Sequence, residues 1–366
     1  MNLRTLARYL VLVITSANYG THSVWAGDRI EHSRSRHASR FSSAAFTSYV
    51  GTAAQESIDV DRSKPWREIL HLCPLDGSPI RPLVADIELR HAFDTQGTPD
   101  VTADGSKVVY DAWPGKAGFV LEESQIILTN ISGTGAHVIS DGCMPSFSPD
   151  GTMITFSRPA KNGKMDGAEG NSIWVMNVDG TGRRMILDQG AWGSRWSPDG
   201  KSLAFRRGVD ASGNRVTGNC LRIYDFETGE TENVFTPEES PFQDLHFQFD
   251  WSKASRQIAF TGFLKGTGQP LLALIDVDLG IESMQSVENI DDPDWVCTNG
   301  SIDWHPGGDH LLVLNPVGNL NKPFGIALNA QATNIELATI IPPEVAIGDA
   351  CYTPGGKSII AVFTSR

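Results

Sequence analysis

The sequence predicts an all-β protein, a six-bladed β-propeller of four-stranded antiparallel blades. Three observations predict it: a short hairpin motif that recurs six times, a second hairpin within the repeats, and an N-terminal hairpin that matches the strands missing from the last repeat. A period near 50 residues that holds several short strands is typical of propellers.

The recurring motif is clearest where Trp196 closes one strand, Ser197-Pro198-Asp199-Gly200 forms a turn, and Leu203 and Phe205 open the next strand. Pro198 presets the backbone for the turn, and Gly200 supplies the positive φ that a bulged hairpin needs. The equivalent turn positions are Gly105, Gly151, Gly200, Ser255, Gly308 and Gly356, at spacings of 46, 49, 55, 53 and 48 residues.

A second hairpin follows in each repeat, best seen at Ile173–Gly182, so each repeat supplies four strands. The sixth repeat ends at Arg366 after two strands, which would leave an open sheet edge. Leu70–Gly77 aligns with Ile173–Gly180, and Ile80–Val84 supplies an outer strand. We therefore expect the N-terminal hairpin to complete the last blade and close the ring.

The first 65 residues do not show this pattern. Residues 1–26 combine Arg4 and Arg8 with an apolar stretch and small residues, which predicts a secretory signal peptide, with a disordered tail as the alternative. Residues 27–65 are rich in Ser, Arg, Ala and Thr without apolar periodicity and predict a disordered linker. The propeller is expected to span residues 66–366.

Charge and composition limit the partners. The chain has a net charge of −13, and residues 66–366 alone carry 22 basic and 38 acidic residues, a net of −16. Such a surface disfavours nucleic acid, which requires clusters of Lys and Arg. No apolar run reaches the length of a membrane span. The five cysteines are scattered without metal-binding spacing, which favours buried free thiols.

The Ser-Pro-Asp-Gly hairpins, together with Ile173-Trp174-Val175-Met176-Asn177-Val178-Asp179-Gly180, resemble the PD40 repeats of TolB-like six-bladed propellers. The resemblance covers roughly residues 66–366 and is weakest in the fourth repeat. It implies the propeller fold, a periplasmic or secreted location and a protein partner. The segment before residue 66 is too short and polar for the α/β domain that precedes the propeller in TolB itself.

Candidate binding residues come from two positions on the inner strands, which surround the central channel. The first position holds Asp100, Ser146, Arg195, Asp250, Asp303 and Cys351; the second holds Thr98, Met144, Gly193, Gln248, Ser301 and Asp349. Several carboxylates there would hold a divalent cation or a basic peptide. The alternative is structural: Asp100, Asp250 and Asp303 would bond to neighbouring blades.

A second candidate surface is the face opposite the Pro-Asp-Gly turns. Long loops fall there at 111–125, 158–171, 206–219, 236–247 and 289–300, and they are either a partner face or plain solvated loops. Aromatic residues for binding are Trp192 and, in the last of these loops, Trp295. His91 and His246 are expected near one channel entrance, and His305 in a turn on the other face, with a structural role.

No nucleophile elbow, Walker loop or zincin helix occurs, so no catalytic residue is assigned. The sequence favours an exported, non-catalytic propeller that binds a protein or a cell-envelope component as a monomer and needs no cofactor. The alternative is a propeller enzyme acting on polysaccharide, a lyase or glycoside hydrolase, with an acidic and metal-binding channel.

Overall fold

The fold is described from a computed structural model of residues 67–365, apart from 115–119, 160–170, 189, 208–217, 219, 290, 293–294, 296, 298–300, 319 and 330. The predicted signal peptide and linker lie outside these residues. Among the residues described, no helix has the length and apolar character needed to cross a membrane.

The strands form consecutive antiparallel groups, here called blades 1 to 6. Blade 1 holds β3 (Thr95–Val101), β4 (Lys107–Trp113), β5 (Gln125–Asn130) and β6 (His137–Asp141). Blade 2 holds β7 (Cys143–Phe147), β8 (Met153–Arg158), β9 (Ser172–Asn177) and β10 (Arg184–Leu187). Blade 3 holds β11 (Ala191–Trp196), β12 (Ser202–Arg207), β13 (Leu221–Asp225) and β14 (Thr231–Asn233).

The second half of the ring is less regular. Blade 4 holds β15 (Phe242–Trp251), β16 (Gln257–Leu264), β17 (Pro270–Asp276) and β18 (Gln285–Ser286). Blade 5 holds β19 (Ile302–Trp304), β20 (His310–Val317) and β21 (Leu320–Ala327). Blade 6 holds β22 (Ala346–Tyr352) and β23 (Ser358–Ser365) with β1 (Arg67–Pro74) and β2 (Arg81–Pro82) from the N-terminal side.

The closure of the last blade by the N-terminal hairpin is confirmed. Strand β1 pairs with β23 in antiparallel register from Arg67–Ser365 to Pro74–Ser358, and β2 pairs with β1. The outer strand spans Arg81–Pro82 and is therefore shorter than the predicted Ile80–Val84. A helix that the repeats did not predict, α1 (Ile87–Ala92), follows and is capped by the Asp86 carboxylate.

The prediction of six separate four-stranded sheets holds only in part. The described strands form three four-stranded sheets, one three-stranded sheet and one eight-stranded sheet. The eight-stranded sheet joins blades 6 and 1 through one parallel pair, Glu68 with Thr95. Blade 5 is the three-stranded sheet, and an isolated bridge between Gly325 and Ile335 lies along the outer side of β21.

The hydrophobic core lies between neighbouring blades. Each of six buried clusters combines apolar residues of two adjacent blades, and the cluster between blades 6 and 1 includes Leu70, Leu83, Tyr110 and Ile360. Burial of apolar surface stabilises the folded state by about 25 cal/mol per Å². Because the core continues between blade 6, which contains the N-terminal strand β1, and blade 1, the ring is closed by side-chain packing as well as by strand pairing.

Among the described residues, three 3₁₀ turns complete the elements: Leu121–Glu123, Gly280–Ser283 and Ala338–Ile340. The predicted loop 236–247 is partly strand, since β15 begins at Phe242. All five cysteines are buried thiols outside any disulfide, in agreement with the sequence prediction. Burial raises the pKa of the Cys73 thiol to about 12, which keeps it protonated and unreactive.

Candidate functional site: the central cavity

The inner strands enclose a central cavity of about 390 Å³. Every blade contributes to its wall, and the first predicted position does so completely: Asp100, Ser146, Arg195, Asp250, Asp303 and Cys351. From the second position, Thr98, Gln248, Ser301 and Asp349 also line it. We call the side near the hairpin turns the turn end, and the side near Thr98 and Asp349 the bulge end.

At the turn end, three carboxylates bond to the next blade. Asp100 Oδ2 accepts the backbone N–H of Phe147 at 2.7 Å, Asp250 Oδ2 that of Trp304 at 2.9 Å, and Asp303 Oδ2 that of Tyr352 at 2.7 Å. The structural role considered for these residues is therefore present in the structure. Asp100 Oδ1 also accepts the N–H of Val101 at 2.8 Å. A carboxylate has about four lone-pair sites on its two oxygens, so these bonds still leave acceptors that a ligand can use.

Two basic side chains face these carboxylates. Arg195 lies in the wall and donates to the carbonyl of Ser194, while Lys253 lines the cavity and stays accessible to water there. The carboxylate of Asp250, more than those of Asp100 and Asp303, raises the pKa of Lys253. Burial raises the pKa of Asp303 well above its ordinary value, and the neighbouring Asp250 adds to the effect.

The bulge end is built on irregular backbone. Thr98 and Met144 have φ values of 32° and 52°, and Gly193, at the equivalent place, has 57°. The strand register shifts at each of these positions, which is the mark of a β-bulge. A bulge removes a backbone N–H from the ladder, and a side chain must then accept it.

Carboxylates meet two of those N–H groups. Asp349 Oδ2 accepts the N–H of Thr98 at 3.0 Å, and Asp111 Oδ2 accepts that of Met144 at 2.7 Å. Asp349 Oδ1 also accepts Gln248 Nε2 at 2.7 Å, across the cavity. A Cβ on Gly97 would lie 2.9 Å from Asp111 Oδ1 and 3.2 Å from Asp349 Oδ2, so a side chain at this position would displace the Asp111 carboxylate from its present place.

This carboxylate group is electrostatically crowded. Burial raises the pKa of Asp111 to about 7, and the charge of Asp349 raises it as well. The hydrogen bonds from Met144 and Thr98 lower the pKa and offset part of this rise. Burial, followed by the charge of Asp349, also raises the pKa of Glu68 to about 7. Three acidic groups on blades 1 and 6 therefore approach one another at the bulge end.

The two candidate tryptophans lie away from the cavity wall. Trp192 is 5% exposed and packs with Trp113, Cys143 and Met144, which corrects its placement at a binding surface. Trp295 is half-buried, and its indole N–H donates to Asn315 Oδ1 at 2.8 Å. Their apolar faces support the blades, a role that the sequence did not distinguish from partner binding.

The two candidate histidines have different surroundings. His91 is exposed on α1, whereas His246 is 5% exposed and its Nδ1 accepts the N–H of Gln248 at 3.3 Å. Burial, aided by the nearby Arg206 guanidinium, lowers the pKa of His246 to about 3, so the ring stays neutral. Most of each of the predicted loops 158–171, 206–219 and 289–300 lies outside the described residues, as do residues 115–119 of the loop 111–125.

One group of metal-ligand side chains escaped the sequence analysis. In the part of the chain that the structure describes, the one set of three such residues able to share an ion is His305, Asp309 and His310, in the blade 5 turn. The signal was present as His305-Pro306-Gly307-Gly308-Asp309-His310. The sequence pattern predicts a structural role for His305, because its turn lies on the face opposite the candidate channel entrance.

A closed ring of antiparallel blades around a polar cavity defines a β-propeller. No protein-family model matches the sequence, and no curated protein matches it. Among solved structures, the chain is similar to a putative TolB from Agrobacterium tumefaciens, with a TM-score of 0.55, 15% identity and coverage of 83% of this chain and 100% of that one.

It is also similar to TolB from Acinetobacter baumannii, with a TM-score of 0.50, 17% identity and coverage of 82% of this chain. The chain spans 64% of that structure, less than two thirds of its length. At these identities the similarity shows the fold alone. The chain therefore has the TolB-like propeller fold that the repeats predicted.

Proposed function

We propose that this chain is an exported, non-catalytic propeller that binds a protein or a cell-envelope component, as a monomer, through its central cavity. The observation that carries the proposal is the charge of the cavity wall. Four carboxylates, Asp100, Asp250, Asp303 and Asp349, surround two basic side chains, Arg195 and Lys253. An acidic recess attracts cationic groups, so the partner presents a Lys or Arg side chain.

The rigidity of the wall supports this role. Three of the carboxylates are already held by backbone N–H groups of the next blade, so a ligand would not have to order them. Groups that are ordered before binding save the entropy that association otherwise costs. The cavity volume of about 390 Å³ suits one or two side chains of a partner and not a folded domain.

The raised pKa of Asp303 gives this proposal a specific signature. Burial and Asp250 favour the protonated form of Asp303, whereas a bound cation would favour the ionised form. Binding of a basic group would therefore release a proton, and its affinity would rise with pH.

The test uses the full chain and the peptide acetyl-Lys-Lys-Lys-amide, with the corresponding glutamate peptide as a ligand control. We expect calorimetry in two buffers of different ionisation enthalpy to show binding of the lysine peptide with proton release. The double variant D250N/D303N keeps both backbone bonds through its amide oxygens and should bind at least tenfold more weakly. D179N is the matched control, since Asp179 also accepts a backbone N–H, but in an exposed outer turn.

Equal binding of both peptides, or unchanged binding in the double variant, would overturn the proposal. Depolymerisation of an acidic polysaccharide by the wild-type chain, lost in the double variant, would establish the enzymatic alternative instead. The export component rests on residues 1–26 and is tested by N-terminal sequencing of the protein recovered outside the cytoplasm. A chain found only in the cytoplasm would contradict export, and an exported chain that keeps Met1 would contradict cleavage of a signal peptide.

A further inference from the structure

The first hairpin turn of blade 5 departs from the other turns of the repeat. In blades 2 and 3, Ser148 and Ser197 each donate to an Asp two residues later, at 2.6 Å, and accept the backbone N–H that opens the next strand, at 2.9 Å. In blade 5 this serine position is His305, and the Asp position is Gly307. The turn forms without that Ser–Asp pair, and His305 Nδ1 accepts the N–H of Gly307 at 3.1 Å. The side chains of Asp309 and His310 are not part of the Ser–Asp pattern that the other hairpins repeat.

The three side chains converge on one carboxylate oxygen. Asp309 Oδ1 lies 2.9 Å from His310 Nδ1 and 3.3 Å from His305 Nδ1, and the donor atoms of the set all lie within 4.8 Å of one another. Ligands of a tetrahedral Zn²⁺, at about 2.0–2.1 Å from the metal, stand about 3.3 Å apart. The distance between Asp309 Oδ1 and His305 Nδ1 already matches this value, and the other separations within the set, all within 4.8 Å, adjust toward it when a metal binds.

The hydrogen bond on the far side of His310 fixes its tautomer. His310 Nε2 lies 2.7 Å from the carbonyl oxygen of Thr333, which only accepts, so Nε2 carries the proton. In the neutral ring Nδ1 then has a lone pair directed at Asp309 Oδ1, which has lone pairs of its own. His310 is 7% exposed and its Nδ1 has no hydrogen-bond donor in the described structure. Two acceptors at 2.9 Å require a cation between them, either a proton on Nδ1 or a metal ion.

The neighbouring blade 6 holds the His305 ring in place. The His305 ring packs edge-on against Tyr352, with centroids 4.9 Å apart, and a Cβ on Gly356 would lie 2.7 Å from its Nε2. Its Nδ1 accepts the Gly307 N–H at 3.1 Å, a bond in a partly exposed turn that coordination would replace. Asp309 is the most exposed of the three side chains, so a fourth position would face solvent.

We propose that His305, Asp309 and His310 bind a divalent transition metal of the Zn²⁺ type. Two imidazoles and one carboxylate suit Zn²⁺, Co²⁺ or Ni²⁺ better than Ca²⁺ or Mg²⁺, which prefer oxygen ligands. His310 Nε2 donates to the Thr333 carbonyl, and metal-bound histidines generally have such an acceptor on the ring nitrogen that does not bind the metal. Three protein ligands leave one position for water or for a donor from a partner. This site is separate from the acidic cavity and does not depend on the proposed function.

The experiment titrates the metal-free full chain with Co²⁺, followed by its visible d–d absorption, and then displaces Co²⁺ with Zn²⁺. We expect one saturable tetrahedral site. His305→Ser restores the residue found in blades 2 and 3, and Asp309→Asn changes one group, so both variants should fold and bind at least tenfold more weakly. His137→Ser is the control: His137 is an exposed histidine of blade 1 whose Nδ1 also contacts a turn backbone group, the Gly135 carbonyl.

Thermal unfolding in EDTA checks that the variants are folded, and it should match the wild type within a few degrees. Histidines at 22, 32 and 37 lie outside the described residues, and the comparison of variants removes their contribution. The proposal is overturned if wild-type chain shows no saturable Co²⁺ site, or if His305→Ser and Asp309→Asn bind as tightly as His137→Ser. A doubly protonated His310 at neutral pH in the presence of Zn²⁺, seen by NMR, would also overturn it.

Discussion

The two ends of the central cavity are stabilised in different ways. At the turn end, Asp100, Asp250 and Asp303 occupy one position of the repeat, and each bonds to the inner strand of the next blade. At the bulge end, Asp349 of blade 6 bonds at once to the Thr98 backbone of blade 1 and to the Gln248 side chain of blade 4. The first arrangement is repeated and local, while the second joins three blades through one carboxylate.

The difference has an energetic consequence. A repeated contact spreads inter-blade stabilisation over several equivalent bonds, so losing one leaves the others in place. The Asp349 carboxylate bonds three blades together, so it concentrates inter-blade stabilisation in one residue. Its charge also adds to the raised pKa values of Asp111 and Glu68. Stability should therefore be more sensitive to mutation and to pH at the bulge end.

The largest expected effect is that of Asp349→Ala. The change leaves the Thr98 N–H and the Gln248 amide without their charged acceptor, and each such bond contributes about 1.5–3 kcal/mol. Relief of repulsion with Asp111 and Glu68 offsets part of the loss. We expect the free energy of unfolding, measured with urea at pH 7, to fall by about 3–5 kcal/mol.

Asp349→Asn is the matched control for that variant. Its amide oxygen can accept the Thr98 N–H, and its NH₂ group can donate to a reoriented Gln248 amide. The loss should therefore stay below about 1 kcal/mol. If Asp349→Ala is as stable as Asp349→Asn, the bulge end does not depend on this carboxylate and the contrast between the two ends is lost.

Sequence reasoning succeeded where a contact repeats. Alignment of the hairpins placed Asp100, Asp250 and Asp303 at one level of the channel, and the match of Leu70–Gly77 to a later hairpin gave the closure of the ring. Both follow from local patterns, because a repeat fixes strand order and the register of adjacent blades.

Contacts across the cavity could not be predicted in this way. Gln248 and Asp349 lie 101 residues apart, and their meeting depends on the diameter of the ring, which no local pattern encodes. Thr98 and Met144 have positive φ values, which non-glycine residues seldom adopt, so residue preferences do not predict them. The burial of Trp192 likewise depends on packing between blades 1, 2 and 3.

The pH dependence of stability gives the second prediction, through Asp111. Its pKa in the folded state is about 7, above the value of 3.8 expected for the unfolded chain. The folded state therefore holds a proton that the unfolded state has lost between about pH 4 and 7. The stability that this carboxyl contributes is complete below pH 4 and declines as pH rises to 7, by about 2–3 kcal/mol between pH 5 and 7.

Asp111→Asn separates this effect from other titrations. The amide keeps an oxygen for the Met144 N–H and cannot ionise, so the variant should gain about 2–3 kcal/mol relative to the wild type between pH 5 and 7. Urea unfolding at several pH values measures the difference. Asp179→Asn, in an exposed turn, should follow the wild type throughout. Parallel curves for Asp111→Asn and wild type would contradict the raised pKa.

The smallest effect is expected at the turn end, for Asp250→Ala. Asp250 is 4% exposed, and its loss leaves the buried N–H of Trp304 without an acceptor, at a cost of about 2 kcal/mol in the free energy of unfolding. The loss of repulsion between Asp250 and Asp303 reduces that cost, whereas the loss of attraction to Lys253 increases it. Asp250→Asn, which keeps the amide oxygen, should fall within about 1 kcal/mol of wild type.

Urea unfolding of the two Asp250 variants beside the two Asp349 variants decides whether the contrast is real. The drop from Asn to Ala isolates the lost hydrogen bonds at each end, because both members of a pair lack the charge. If that drop is as large for Asp250 as for Asp349, one bond at the turn end stabilises the ring as much as two at the bulge end. Inter-blade stability would then follow the repeated contacts, and the residues that join three blades would be no more important than those that join two.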